Sequence, residues 1–171
     1  MAHLLHKIEQ TMGETWLPRI YRQRVLKGRT RRYKFPQLTR NAEPQIQHTL
    51  LGIELKTGRR RMLCPDLATA RYLAVFARIR CRTVAISYDI SKLSQLADTL
   101  ESSWHHMLLL ADDIAAGKSE AFRARLRTVL VGKVRDEIEK AGAGPALPQF
   151  TQGTRPKERP GGTNRQKGDN G

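Results

Sequence analysis

His48-Thr49-Leu50-Leu51-Gly52-Ile53-Glu54-Leu55-Lys56-Thr57-Gly58-Arg59-Arg60-Arg61-Met62-Leu63-Cys64-Pro65-Asp66-Leu67 changes its hydrophobic period partway along, and that change decides the fold class. From His48 to Lys56 the pattern alternates, with Leu51, Ile53 and Leu55 on one face, as a half-buried strand does. Thr57-Gly58 supplies a turn, and Arg59 to Cys64 returns with Met62 and Cys64 on one face and Arg59 and Arg61 on the other. After Pro65 the period lengthens: Leu67, Ala70, Leu73, Ala74 and Ala77 recur at helical spacing. The Asp66 carboxylate is placed to cap this helix, which is expected to run to about Arg80.

Thr83 to Tyr88 follows as a buried strand, with Val84, Ile86 and Tyr88 facing one way. Two long amphipathic helices come next. One carries Leu93, Leu96, Leu100, Trp104, Met107 and Ala111, is capped by Ser91 and stops at Gly117. The other starts at Ser119, carries Leu126, Leu130, Val134 and Ile138, and stops at Gly142. Their short connection predicts an antiparallel helical hairpin over 91–140, either packed on the sheet or projecting as an arm.

Upstream, Ala2 to Met12 reads as a short helix. Residues 19–26 and 30–36 read as a hairpin turning at Gly28, with Pro36 ending its second strand and Gln37 to Gln45 as a connection. The assembled order is α-β-β-β-β-α-β-α-α. Strands and helices mix without strict alternation, so an α+β domain is expected over residues 1–140. Its parts are the basic hairpins over 18–64, a helix and strand over 66–88, and the helical hairpin. Together they make a small antiparallel-rich sheet, two hairpins plus one further strand, packed with helices. Residues 141–171 lose all apolar period to glycine, proline and polar residues, and are expected to be a disordered basic tail.

The 171 residues carry 31 Lys plus Arg against 16 Asp plus Glu, a formal charge of +15. Pro18 to Arg40 holds nine basic residues and no acid, and Lys56 to Arg82 holds eight against the single Asp66. In these two segments arginine outnumbers lysine by 14 to 3. A guanidinium fork matches phosphate geometry, where an ammonium is only a point charge. The partner class is therefore a polyanion. No run approaches the roughly 18 apolar residues of a spanning helix, so no membrane partner is expected. Met1 to Lys7 lacks the features of a secretory signal. With only Cys64 and Cys81, reduced thiols and a cytoplasmic location are expected.

The expected function is nucleic-acid binding without catalysis, RNA ahead of DNA, with neither cofactor nor metal. Candidate phosphate contacts are Arg19, Arg22, Arg24, Lys27, Arg29, Arg31, Arg32, Lys34, Arg59, Arg60 and Arg61. Tyr21, Tyr33 and Phe35 interleave with them as candidate stacking rings, the combination that suits unpaired bases. The same three rings could equally form the hydrophobic face of the hairpin.

Two other classes compete. Glycine-rich phosphate loops and hydrolase elbows are absent from the sequence. Glu54-Leu55-Lys56 places an acid and a lysine on one face of a strand, where the acid could hold a divalent metal and the lysine steady a phosphate. In this respect Gly52 to Thr57 resembles the E-x-K segment of the PD-(D/E)xK nucleases. That resemblance implies a metal-dependent nuclease using Glu54 and Lys56, with a further upstream acid. Between Thr15 and Ile53 the sequence offers only Glu43. The remaining class is an assembly factor, with a homodimer or protein partner docked through Leu93, Leu100, Trp104 and Met107 of the helical hairpin. His105-His106 and Asp112-Asp113 read as the polar face of that helix, and Cys64 as a small buried apolar residue.

Overall fold

The computed structural model describes residues 1–37 and 42–144. The expected tail, apart from residues 141–144, lies outside this range, as does part of the 37–45 connection. The fold is α+β. Helix α1 (Ala2–Met12) leads through a short 3-10 turn into α2 (Leu17–Ile20), which continues as a π-helical turn over Tyr21–Val25. Strands β1 (Thr30–Lys34), β2 (Gln45–Thr49), β3 (Gly52–Thr57) and β4 (Arg60–Cys64) precede α3 (Leu67–Ile79), β5 (Thr83–Ser87), α4 (Ile90–Ile114) and α5 (Glu120–Ala141). Two antiparallel sheets result: β2-β3-β4 and β1-β5.

The expected hairpin of 19–26 with 30–36 does not form. Leu17, Ile20, Tyr21 and Val25 are all buried, a spacing of three, one and four that only a helix brings to one side. Pro18 sits in the first turn of α2, where its missing N–H costs nothing. β1 pairs instead with β5, with Arg32 opposite Ala85 and Lys34 opposite Thr83.

The meander is richer than a hairpin. The stretch read as one strand from His48 breaks at Leu50-Leu51, and β2 folds back on β3 with Ile46 opposite Leu55. Gly52, at φ 124, takes a conformation that side chains resist. The β3–β4 register sets Leu55 against Met62 and Lys56 against Arg61. α3 begins as expected, with the Thr69 N–H donating to Asp66 Oδ1 at 2.7 Å. The cap of α4 is Asp89 rather than Ser91; its Oδ1 accepts from the Ser91 N–H at 3.0 Å.

One core joins these parts. α3 lies along α4, and α2 touches both α4 and α5. α5 contributes Leu126, Leu130, Val134 and Ile138, each fully buried. The helical hairpin therefore packs into the domain and does not project. Leu93, Leu100, Trp104 and Met107 are core residues. They are spent inside the chain, so the docking face expected from them is not a surface. No helix among the described residues is long and apolar enough to cross a membrane.

Candidate nucleic-acid interface

The structure sorts the cations into two populations. One set is tied to acids: Arg71 donates to Asp98 at 2.5 Å and to Glu101 at 2.9 Å, joining α3 to α4. Arg127 pairs with Asp112 between α5 and α4. Lys133 reaches Glu9 at 3.1 Å and Glu137 at 2.8 Å. The Arg127 fork holds the Asp112 carboxyl below its usual range. The acid-rich α4 is thus partly neutralised within the fold.

Most of the candidate phosphate contacts are not. Among the candidate contacts, Arg19 pairs with Glu14 at 3.0 Å, Arg22 with Glu137 at 3.7 Å and Arg61 with Glu54 at 4.0 Å. Arg24, Lys27, Arg29, Arg31, Arg32, Lys34, Arg59 and Arg60 have no carboxylate partner among the described residues. Arg24 donates to Thr99 Oγ1 at 3.3 Å, and Arg32 to the Gly144 carbonyl at 3.4 Å.

Elements explain the placement. Alternation on β1 sends Arg32 and Lys34 outward on one face and Arg31 and Tyr33 to the other, where Arg31 is half-buried. The π turn, closed by the Leu26 N–H on the Tyr21 carbonyl at 3.0 Å, leaves Arg22 and Arg24 exposed while Tyr21 and Val25 go inward. Arg59, Arg60 and Arg61 crowd the far β3–β4 turn, all exposed. The candidates therefore occupy the α2–β1 segment and the meander turn, two separate elements.

The aromatic expectation needs correction. Tyr21 is wholly buried, edge-on to Phe76, so its ring stacks on the core and not on a base. Phe35 is also buried, T-shaped on Tyr33 at 5.0 Å. Tyr33 is half-buried, with its hydroxyl on Met62 Sδ at 3.3 Å. These rings tie β1 to the two layers around it. Among the described residues the exposed ring is Tyr88, 53% accessible, with the Arg29 guanidinium 5.8 Å from its centroid. The sequence reading placed Tyr88 inside; the strand ends at Ser87, one residue earlier. Its position just before the Asp89 cap was the available signal.

Glu54 is 6% exposed and leaves Oε2 without a hydrogen bond. It shares a sheet face with Lys56. Glu43, the only upstream acid in reach by sequence, donates nothing to it: Glu43 Oε1 accepts from Arg78 Nε at 2.7 Å. Glu43, Gln45 and Lys56 line one recess that Glu54 does not enter. Among the described residues no group of three or more His, Cys, Asp and Glu is placed to hold a metal. Both cysteines are free and buried. Burial pushes the Cys81 thiol up to about 12 and raises that of Cys64, which leaves both poor nucleophiles.

Comparison with protein families, curated proteins and solved structures finds no match to this chain.

Proposed function

We propose that this chain is a small, basic, non-catalytic nucleic-acid-binding protein of the cytoplasm, with RNA ahead of DNA. One observation carries the reading: among the described residues Arg24, Lys27, Arg29, Arg31, Arg32, Lys34, Arg59 and Arg60 are left without carboxylates, while Arg71, Arg127 and Lys133 are paired. A fold that can neutralise cations internally, yet leaves these eight without carboxylates among the described residues, holds a self-repelling surface that a phosphate backbone would relieve. The exposed Tyr88 beside Arg29 supports unpaired bases over duplex, because a ring platform is of use only to a base that can leave its helix. Two free, buried thiols support a reducing compartment.

A salt titration of binding to a generic RNA tests the reading. Each phosphate neutralised adds roughly 0.7 to 0.9 to the log–log slope, so contact by several of these cations gives a slope steeper than about −3. A slope near zero overturns it.

A metal-dependent nuclease is the second reading. The buried Oε2 of Glu54, which accepts no hydrogen bond and lies on the same sheet face as Lys56, favours it. The engagement of Glu43 by Arg78 removes the second carboxylate such a site needs.

A further inference from the structure

A recess of about 330 Å³ lies where the α2–β1 turn meets the start of α4. It is lined by Arg24, Lys27, Gly28, Ser87, Lys92 and Gln95, with Val25 and Leu96 as its apolar part. Among the described residues no carboxylate lines it. Asp89 is close in sequence, but its Oδ1 is committed to the Ser91 N–H at 3.0 Å and the Ser91 hydroxyl at 2.6 Å. Lys27 and Lys92 have no ion-pair partner among the described residues, and Arg24 uses Nη1 on Thr99, leaving the rest of its fork free. The size is at the lower end for small-ligand sites, about 300–1,000 Å³, and the three charged residues of the lining, Arg24, Lys27 and Lys92, are all cations.

Two further features converge on it. Gly28 lines the recess although nothing in the fold demands a glycine there. Its φ is not in the left-handed region, and an added Cβ would meet only the Val25 carbonyl at 3.8 Å. A missing side chain at a recess wall lets a ligand approach the backbone closely. The second feature is the adjoining ring. Tyr88 follows Ser87 of the lining, and its N–H is bonded to the Arg29 carbonyl at 3.1 Å, so the exposed ring stands beside the residues that follow Gly28. Arg24 itself belongs to the π-helical turn, an irregularity found mostly where function needs it.

From this arrangement we infer that the recess seats one phosphate of a single-stranded chain, held by Arg24, Lys27 and Lys92, with an adjacent base laid on Tyr88. This rests on the nucleic-acid reading and narrows it to a single-stranded polymer.

The test uses the full chain and fluorescence anisotropy with a ten-nucleotide single-stranded RNA, a duplex of the same length, and adenosine 5′-monophosphate as competitor. Lys27→Ala with Lys92→Ala is expected to weaken single-strand binding about tenfold and to flatten the salt slope by roughly 0.7 to 1.4. Lys27→Gln with Lys92→Gln, which keeps the stems, should do the same. Tyr88→Ala should weaken single-strand binding about tenfold and leave the duplex unchanged. If the wild type binds RNA but these variants bind as tightly, while Arg31→Ala with Lys34→Ala loses affinity, the recess is overturned and nucleic-acid binding stands. A wild type that binds no nucleic acid overturns both. Displacement by the mononucleotide at the oligonucleotide's own concentration makes this a mononucleotide site and overturns the polymer reading.

Discussion

The Tyr21 phenol oxygen accepts from the Ala85 N–H at 2.9 Å, across 64 residues of sequence, and donates in turn to the Gly142 carbonyl at 2.6 Å. On the other polar group of Ala85, the Tyr72 hydroxyl donates to the carbonyl at 2.6 Å. β5 pairs with β1 on one side only. Its other edge is closed at Ala85 by two side chains in place of a strand. Buried backbone groups must find partners, and here the partners are rings that also fill the core.

Tyr21→Phe keeps the ring and removes both bonds, leaving the Ala85 N–H buried and unpaired. The expected loss is about 1–3 kcal/mol, read as a lower urea midpoint with an unchanged m-value. RNA binding at a temperature well below the transition should stay within twofold. A larger loss of binding would mean that the Tyr21 ring contacts ligand after all.

Alkaline pH acts on the same region. Burial raises Tyr21 from 10.0 to about 12 and Cys81 from 9.0 to about 12, and also pushes Tyr72 well above its usual range. A folded-state pKa above the unfolded one means the folded chain binds more protons in the interval, so stability falls as pH rises. The contribution of these groups is complete below pH 9 and is lost progressively between pH 9 and 12. Chemical denaturation at stepped pH should show this decline, and Cys81→Ala should remove the earliest part of it.

Arg71 separates structural from binding arginines. It lies in the basic central segment, yet its fork is taken by Asp98 and Glu101. Arg71→Ala should cost about 1–2 kcal/mol, more than a lone surface pair because two acids are released together. The salt slope of RNA binding should not change. Arg31→Ala with Arg32→Ala and Lys34→Ala should do the reverse, flattening the slope by about two units while leaving the unfolding midpoint nearly in place.

The sequence was most readable where periods are long and bounded. Asp66, Ser119 and Gly142 marked helix ends correctly because capping is a local interaction. It was least readable at residues 17–25. There the buried set Leu17, Ile20, Tyr21 and Val25 is short, polar residues interrupt it, and Gly28 invites a hairpin turn. Strand pairing decided the matter at long range: β1 takes β5 as its partner, which no local pattern announces. The aromatic ring exposed for stacking was misplaced for a related reason. β5 is buried on both faces and ends at Ser87, so Tyr88, one residue past its end, leaves the core. The charge itself was legible at once, since unpaired arginines follow from the shortage of acids in Pro18 to Arg40.

Glu54 discriminates between the two functional readings. Under the binding reading, Glu54→Gln relieves a buried oxygen with no hydrogen-bond partner and leaves RNA affinity within twofold. Purified protein with Mg²⁺ or Mn²⁺ should bind RNA and DNA substrates without cutting them. Metal-dependent cleavage that disappears in both Glu54→Gln and Lys56→Ala would establish the nuclease instead.

The chain beyond Gly144 carries five basic and two acidic residues, and the described residues end at a specific place. Ala143 is 5% exposed and belongs to the buried set, while a Cβ on Gly144 would come within 2.5 Å of Thr30 Oγ1. The Gly144 carbonyl accepts from Arg32, so the last described residue sits beside the basic strand β1. A truncation ending at Gly144 keeps every contact just named. Its unfolding midpoint should match that of the full chain. Its RNA affinity should fall a few-fold at low salt and converge with the full chain as screening shortens the reach of the lost charges, from a Debye length of roughly 30 Å at 0.01 M to about 8 Å at 0.15 M. A truncation ending at Lys140 should behave differently, because it removes Ala143 from the core and the Gly142 carbonyl from Tyr21, and a midpoint lowered by several degrees is expected. If the Gly144 truncation itself unfolds markedly earlier, residues 145–171 dock on the domain, and their effect on binding has to be assigned to stability before charge.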